Sequence, residues 1–359
     1  MHTEPAPIHA VAPLRISFVG GGTDFPHWYE EHGGAVLSAT IDHVVRVTIS
    51  PRRDRQVRVR SLDLGHLVEY GLDERPPYDG VMDLPKAAID RFGVATGIDV
   101  DIESEAPPGS GLGGSSALVT AMVAALAMFA GRAITAEEVA RLSYAIERED
   151  LGISGGWQDQ FAASHGGCNL IEFASGGVHI TPVAADAARF EDLRRHLLLC
   201  YTGGVRRDVG LIDRQIELFR RGREETVLGM KQLSEMAYAM RDAIEAGDLG
   251  RLGAMLAEAF EAKKRMNPHV AEDTPIEPML RTARDAGAWG GKICGAGGGG
   301  YLLIACSPEV RAGVRSALED AGGQLAPFDF EHRGVRAFRG DTVWTPSPAS
   351  TSRRKAPLP

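Results

Sequence analysis

The stretch Pro107–Ala117 reads PPGSGLGGSSA and stands between a β-branched run, Val100–Glu103, and an apolar run, Ala117–Ala130. Glycine lets backbone N–H groups converge with no Cβ in the way, and the first turn of a helix adds unpaired donors and the positive end of its dipole. The stretch therefore predicts a phosphate-binding loop that leads from a strand into a buried helix. The alternative is a glycine-rich connection whose serines only cap that helix.

Two familiar phosphate signatures do not fit this loop. Gly109-x-Gly111-x-x-Gly114 formally matches the dinucleotide-binding pattern. That pattern requires a second strand after the helix, whereas the next predicted element is another helix, capped by Thr135 with Glu138 three residues later. A Walker A loop requires Gly-Lys-Ser/Thr, and the loop contains no lysine. A different class of phosphate loop is indicated.

Length and composition indicate an ordinary globular chain. Its 359 residues suggest about two domains at ~150 residues each. Hydrophobic residues make up 44% and charged residues 24%, which excludes a wholly disordered chain. The net charge of −9 argues against a nucleic-acid or anionic-membrane binder, because such proteins need a basic surface.

Cysteine spacing and terminal composition favour a cytoplasmic protein. The four cysteines are widely separated and form no CxxC pair, so neither a zinc site nor a disulfide framework is indicated. Met1–Pro13 lacks the pattern of a secretory signal. The apolar run of 14 residues at Ala117–Ala130 is too short for a membrane helix.

The order of predicted elements favours a mixed α+β protein over a regularly alternating parallel sheet. Residues 210–287 are predicted to be helical almost throughout, which suggests a second domain that begins near residue 185. We therefore expect domains at 1–185 and 186–344 and a disordered Ser-, Pro- and Arg-rich tail at 345–359. Strands are predicted at Leu14–Val19, Val36–Ser50, Gln56–Arg60, Val100–Glu103, Cys168–Phe173, Val178–Val183, Leu197–Tyr201 and Tyr301–Cys306, and helices at Leu84–Phe92 and Pro308–Ala321.

Three glycine-rich segments, taken together, resemble the GHMP kinases, named for galactokinase, homoserine kinase, mevalonate kinase and phosphomevalonate kinase. Ala12–Asp24, Pro107–Ala117 and Lys292–Tyr301 are similar, in order, to the family's three motifs, and the resemblance covers roughly residues 10–340. It implies a two-domain α+β fold with a left-handed βαβ unit in the N-terminal domain and a ferredoxin-like C-terminal domain. It also implies that ATP and Mg²⁺ bind between the domains.

The resemblance assigns ATP and the metal to named positions. Gly114 is an extra residue relative to the commoner GLGSSA, so Ser116 is almost as eligible a metal ligand as Ser115. Glu147 is the second expected metal ligand, with Glu149 as the alternative. The residues expected to bind ATP are Pro108, Gly109, Ser110, Gly111, Leu112, Gly113, Gly114, Ser115, Ser116, Gly297 and Gly298.

Phosphoryl transfer also needs a group that receives or orients the attacking hydroxyl. Asp159, in Gly-Trp-Gln-Asp-Gln, matches the family's catalytic base, and Arg15 matches its catalytic cation. Asp24 stands where sugar-kinase members hold a substrate hydroxyl, and the expected substrate-binding residues are Gly21, Gly22, Thr23, Asp24, Arg206 and Lys263.

The first motif ends in Gly-Gly-Gly-Thr-Asp and not in the Gly-Glu-His-Thr-Asp of galactokinases, which resembles the branch of D-glycero-D-manno-heptose 7-phosphate kinases. This implies transfer to the anomeric hydroxyl and formation of the 1,7-bisphosphate, by a monomer or homodimer. Arg206, Arg207, Lys263, Lys264 and Arg265 are candidates for the 7-phosphate. A free-sugar 1-kinase of galactokinase or fucokinase type, and a non-catalytic sugar- or nucleotide-binding regulator, remain the alternatives.

Overall fold

The computed structural model describes residues 6–203 and 210–340 and has the expected mixed α+β architecture. Arg206, Arg207 and the tail 345–359 lie outside the described residues. The strands are β1 Ile8–Val19, β2 Gly34–Pro51, β3 Gln56–Ser61, β4 His66–Gly71, β5 Ile98–Ser104, β6 Cys168–Ala174, β7 Gly177–Pro182, β8 Leu197–Tyr201, β9 Gly290–Ile293, β10 Tyr301–Ala305, β11 Gln324–Ala326 and β12 Arg336–Arg339. The helices are α1 Pro26–His32, α2 Asp83–Phe92, α3 Gly114–Phe129, α4 Ala136–Ala145, α5 Gln158–His165, α6 Ala187–His196, α7 Leu211–Arg220, α8 Glu224–Ala246, α9 Leu249–Met266, α10 Ile276–Asp285 and α11 Arg311–Asp320, with a π turn at Ile146–Asp150 and a 3₁₀ turn at Pro268–Ala271.

The larger sheet has the order β12-β1-β2-β5-β3-β4, and β6 with β7 extends it from β2. Among the described strands, β3 and β5 alone pair in parallel, and α2 lies in the connection between them. This connection is the βαβ unit of the first domain. The hand of its crossover stays a prediction from the resemblance.

The smaller sheet has the order β11-β8-β10-β9, with every pairing antiparallel. Counted along the chain within this sheet, the order is 4-1-3-2. Helices lie between the first and second strands and between the third and fourth. This is the βαββαβ arrangement of a ferredoxin-like domain, so the expected C-terminal architecture is confirmed.

The core forms around β1, β2 and α3. Nearly every residue of β1 is buried, which requires cover on both faces of the sheet because alternate side chains point to opposite faces. Helices α3 and α8 both contact β1 and β2 and provide that cover. The apolar run that begins at Ala117 is thus a buried core helix, and no described helix has the length and apolarity to cross a bilayer.

The C-terminal segment returns to the first sheet. Strand β12 pairs with β1, and Thr40 donates a hydrogen bond to the backbone oxygen of Glu331 at 2.5 Å. The last strand of the expected second domain therefore belongs to the first sheet. The pairing with β12 and β2 also explains why β1 begins at Ile8, earlier than the predicted Leu14.

Candidate active site

A cleft opens where the end of β1 meets the second sheet. The end of β1 and the turn after it, the start of α5, and α7, α9 and β9 all contribute to it. Its polar and glycine lining includes Arg15, Ser17, Gly20, Gly21, Gly22, Asp24, Arg148, Gly155, Gly156, Gln158, Asp159, Gln215, Lys263, Lys292 and Gly295. The two predicted catalytic residues, three predicted substrate-binding residues of the first motif, and Lys263 thus meet in one cleft.

Arg15 and Asp159 form a bidentate ion pair at this cleft. Nε of Arg15 donates to Oδ1 of Asp159 and Nη2 donates to Oδ2, each at 2.8 Å. The third guanidinium nitrogen, Nη1, donates to the backbone oxygen of Gly111 at 2.5 Å. Because two parallel charge-assisted hydrogen bonds fix both position and plane, the Asp159 carboxylate is held in one orientation beside the glycine loop.

Asp24 lies buried at the same cleft and is fixed by backbone donors. Its Oδ1 accepts from the backbone N–H of Gly22 at 3.0 Å, and its Oδ2 accepts from that of Gln158 at 2.9 Å. Burial raises the pKa of Asp24 above its ordinary value, and these two hydrogen bonds oppose the rise. A Cβ on Gly156 would lie 2.1 Å from Oδ2, so only glycine permits this close approach.

Thr23 is placed differently from the sequence-based expectation. Its side chain is fully buried, and its hydroxyl donates to the backbone oxygens of Gly20 and Ala35 at 2.8 and 3.1 Å. The same hydroxyl accepts from the backbone N–H of Ala35 at 3.2 Å. Thr23 does not line the cleft, and its contacts stabilise the turn that presents Gly21, Gly22 and Asp24.

The predicted phosphate loop leads into α3 as expected. Gly109, Gly111 and Gly113 have φ values of +76°, +79° and +78°, a region that side chains rarely adopt. Helix α3 has no side-chain cap, so backbone donors of its first turn remain available. A Cβ on Gly113 would lie 3.3 Å from Arg15 Cγ and 3.5 Å from Asp159 Cγ, which places this helix terminus directly beside the ion pair.

The third glycine segment packs on the phosphate loop through its ends. A Cβ on Gly295 would lie 2.7 Å from the Cα of Gly111, and the N–H of Tyr301 donates to the Ser110 oxygen at 3.0 Å. Gly297 and Gly298 are buried instead against Val270, whose oxygen accepts from Gly298 N–H at 2.9 Å. Gly295 and Ala296, not Gly297 and Gly298, line the cleft.

The candidate metal ligands divide into two buried residues, Ser116 and Glu147, and two exposed ones, Ser115 and Glu149. Ser116 donates its hydroxyl hydrogen to Oε2 of Glu147 at 3.1 Å, and both residues are buried. Oε1 of Glu147 and Oε1 of Gln160 are buried with no hydrogen-bond partner among the described residues. Ser115 is exposed, and the Glu149 side chain is 66% exposed, so the geometry favours Ser116 and Glu147.

The structure also distinguishes between the lysines and arginine that were candidates for binding the sugar 7-phosphate. Lys263 is buried and lines the cleft. Lys264 pairs with Glu261 at 3.1 Å and with Glu277 at 2.5 Å, and Arg265 donates to Gln232. Neither Lys264 nor Arg265 lines the cleft.

Sequence reasoning missed several cleft residues. Lys292 begins the third motif and Gln158 precedes the expected base Asp159, but the motifs assign no role to either residue, nor to Arg148. Gln215 of α7 donates its amide to the Gly22 oxygen at 3.1 Å and lies where a Gly22 side chain would be. Motif position could have indicated Lys292, whereas nothing in the sequence brings Gln215 to Gly22.

A carboxylate held by a buried arginine beside a glycine-rich loop, in a cleft between an N-terminal domain and a ferredoxin-like domain, is typical of a phosphotransferase. Comparison with known proteins agrees. Residues 82–167 match the model of the GHMP kinases N terminal domain, and residues 240–324 match that of the GHMP kinases C terminal.

D-glycero-alpha-D-manno-heptose 7-phosphate kinase of Campylobacter jejuni is 32% identical over 92% of this chain and 99% of its own length. This chain belongs to the GHMP kinases and is a kinase. The family uses ATP as phosphate donor.

This chain is also similar to two further proteins whose names describe kinases. A solved D-glycero-D-manno-heptose 1-phosphate kinase from Bacteroides thetaiotaomicron superimposes with a TM-score of 0.77 at 26% identity, covering 94% of this chain and all of that one. The bifunctional fucokinase/GDP-fucose pyrophosphorylase of Arabidopsis thaliana is 26% identical over 86% of this chain but only 31% of its own length.

Proposed function

We propose that this kinase transfers the γ-phosphoryl group of Mg·ATP to the anomeric hydroxyl of D-glycero-D-manno-heptose 7-phosphate and forms the 1,7-bisphosphate. The observation that carries the proposal is the bidentate Arg15–Asp159 pair, which stands at one cleft with Asp24 and beside the phosphate loop. The 32% identity to the Campylobacter jejuni heptose 7-phosphate kinase supports the choice of sugar.

Asp159 is the proposed base. Arg15 holds the Asp159 carboxylate toward the cleft, where it can accept the proton of the anomeric hydroxyl as the hydroxyl oxygen attacks the γ-phosphorus. Asp24 would accept hydrogen bonds from sugar hydroxyls, because its two oxygens are fixed by backbone donors and the residue lines the cleft. Uncapped N–H groups of α3 would bind the ATP phosphates.

Mg²⁺ fits the oxygen atoms around Glu147. Glu147 Oε1 and Gln160 Oε1 are buried and unpartnered among the described residues, and Ser116 Oγ lies 3.1 Å from Glu147 Oε2. Hard cations prefer oxygen ligands, and Mg²⁺ is commonly held by one or two carboxylates together with substrate phosphates. We assign Glu147 and Ser116 to the metal in preference to Ser115. When bound, Mg²⁺ would neutralise charge on the ATP phosphates.

The sugar 7-phosphate requires a cation at the cleft. Lys263 is the proposed contact, because it is buried and lines the cleft whereas Lys264 and Arg265 do not. Arg206 remains a proposed contact from the sequence. Its position outside the described residues leaves its role to mutagenesis.

An ADP-release assay tests the substrate. The acceptors are heptose 7-phosphate, heptose 1-phosphate, sedoheptulose 7-phosphate, mannose, galactose, fucose and mevalonate, with product phosphorylation positions read by ³¹P NMR. We expect turnover with heptose 7-phosphate and a new anomeric phosphate. Turnover of heptose 1-phosphate with a new 7-phosphate would reverse the assigned position.

Asp159→Asn tests the base. We expect kcat to fall by roughly 100-fold or more, because general-base catalysis contributes about 10²–10⁴-fold, while Mg·ATP binding persists. Asp320→Asn, on the exposed face of α11, is the matched control and should leave kcat unchanged. An unchanged kcat in Asp159→Asn would exclude this base.

A free-sugar 1-kinase is the second candidate, favoured by the similarity to the plant fucokinase over 86% of this chain. Turnover of fucose or galactose in the same assay would establish it. ATP binding without turnover of any acceptor would instead support a non-catalytic regulator.

A further inference from the structure

Lys292 is a buried lysine that joins the two sheets at the cleft. It lies in β9 of the smaller sheet, and its Nζ donates to the backbone oxygen of Ser17 in β1 at 2.8 Å and to that of Ile293 at 2.9 Å. Only 4% of the residue is exposed, and it lines the same cleft as Arg15, Asp24 and Asp159.

The Lys292 ammonium group has no carboxylate partner among the described residues. An ammonium has three N–H donors, and the two backbone oxygens account for two of them. Another buried lysine, Lys86, has carboxylate partners: its Nζ pairs with Asp79 at 2.7 Å and with Asp83 at 3.2 Å. A buried charge without a counter-ion is costly, so such a group is retained where an anion binds.

The charges around Lys292 also favour an anion at this position. Burial, with a smaller contribution from the Arg15 guanidinium, lowers the pKa of Lys292 to about 8, and only Cys294 opposes the shift. Within residues 6–203 and 210–340, the other charged groups that line the cleft are Asp24, Asp159, Arg148 and Lys263. Arg15 is engaged by both oxygens of Asp159, which leaves Lys292 beside that pair with one N–H donor to offer.

We infer that Lys292 is a catalytic residue that donates a hydrogen bond to a non-bridging oxygen of the phosphoryl group while that group is transferred. The inference rests on the proposed function. The bond between the γ-phosphorus and the β-bridging oxygen breaks as the bond to the anomeric oxygen forms, and the hydroxyl proton passes to Asp159. Lys292 keeps its proton throughout and acts as a fixed positive charge near the oxygens that carry the charge of the transition state.

Two substitutions, Lys292→Met and Lys292→Arg, distinguish a catalytic role of Lys292 from a purely structural contact between the two sheets. Removing a preorganised donor to a transition-state oxyanion lowers kcat by roughly 10²–10³-fold, and we expect a loss of that size in Lys292→Met with a small change in sugar KM. Lys292→Arg should retain more activity because it keeps the charge. Lys231→Met, on the exposed face of α8, is the control.

The pH profile supplies a readout that a purely structural lysine would not move. In the wild type, kcat/KM should decline above a pH near 8 as the free enzyme loses the Lys292 proton. This decline should be absent in Lys292→Arg, because arginine stays protonated. Should Lys292→Met not fold, the Lys292→Arg profile decides the question alone.

The assay uses whichever acceptor of the panel turns over in the wild type, so the role of Lys292 is judged separately from the sugar. A kcat within twofold of wild type in Lys292→Met, or an unchanged alkaline decline in Lys292→Arg, would overturn the inference while leaving the proposed function intact. A wild type inactive on every acceptor would overturn both.

Discussion

Glu147 is the residue at which burial and function are most directly opposed. Burial raises the pKa of its carboxyl, and Arg148, whose Nη1 lies 3.0 Å from Oε2, works against that rise. One carboxylate oxygen nevertheless has no partner among the described residues. A buried oxygen left in this state destabilises the fold, and its retention is explained if a cation binds there.

Glu147→Gln should therefore separate stability from activity. The raised pKa means that the folded protein keeps this proton at pH values where the unfolded chain has lost it, so the wild-type contribution to stability falls as pH rises above the ordinary value of 4.5. At pH 7.5 we expect a Tm equal to or above that of wild type. The Mg²⁺ concentration for half-maximal ADP release should rise at least tenfold, since even the loss of a residue that only supports a metal ligand typically costs 10–100-fold in affinity or activity.

Glu149→Gln is the matched control at this position. The Glu149 side chain is 66% exposed and lies 3.7 Å from Arg91, so its loss should change neither Tm nor Mg²⁺ dependence. A larger Mg²⁺ effect in Glu149→Gln than in Glu147→Gln would return the metal to the alternative ligand.

Residue chemistry was predictable from sequence only where a motif fixed it. Arg15, Asp24 and Asp159 each stand in a motif, and all three line one cleft. Which of Ser115 and Ser116 faces Glu147 depends on the rotation of α3 after Gly113. The extra residue Gly114 makes that rotation unpredictable from the sequence. The pair Thr23-Asp24 predicts two contacts to the substrate, but the Thr23 N–H closes a tight turn on the Gly20 oxygen, and the Thr23 hydroxyl bonds to the backbone of Gly20 and Ala35.

At the scale of elements, the phosphate loop and the third glycine segment form one backbone-to-backbone contact. A Cβ on Gly111 would lie 2.6 Å from the Cys294 oxygen, and Gly111 also has φ of +79°. The sequence predicts both loops, yet it does not predict that they touch, because Gly111 and Cys294 are 183 positions apart in the chain. The long helical stretch 210–287 was likewise recognised as helical, while its division into α7, α8, α9 and α10 appears only in the structure.

Gly111→Ala should disrupt this contact. Both the left-handed φ and the clash with Cys294 oppose alanine, so we expect a loss of about 1–3 kcal/mol in the free energy of unfolding and a raised KM for ATP. Denaturant unfolding and ATP titration of the initial rate measure the two effects. Gly250→Ala in α9, where a Cβ meets nothing within 4 Å, should instead be neutral or stabilising by about 0.5–1 kcal/mol. Equal unfolding midpoints for the two variants would show that the close contact between Gly111 and Cys294 does not contribute to stability.

At the scale of the whole molecule, a chain of net charge −9 gathers four of its cationic side chains in one cleft. Arg15, Arg148, Lys263 and Lys292 come from both sheets or the helices packed on them, so the cleft exists only when the two domains are assembled. The sequence indicated two domains and an anionic ligand. It could not indicate that Lys292 bonds to the oxygen of Ser17, because the two residues are 275 positions apart in the chain.

The dependence of stability on pH should reveal Lys292 in the intact molecule. Its pKa is lowered from 10.5 to about 8, so between these pH values the unfolded chain binds the proton and the folded protein does not. Stability supplied by this residue therefore rises with pH across that window. Lys292→Met removes the titration together with two hydrogen bonds to backbone oxygens, each worth about 1 kcal/mol. Denaturant unfolding at pH 7, 8.5 and 10 measures the free energy of unfolding of both proteins. As pH rises, the value for Lys292→Met should fall relative to that of wild type by about 1–3 kcal/mol. Lys231→Met should follow the wild-type curve at all three pH values. Parallel curves for Lys292→Met and wild type would mean that Lys292 does not titrate in this range, and the alkaline decline in activity would then belong to another group.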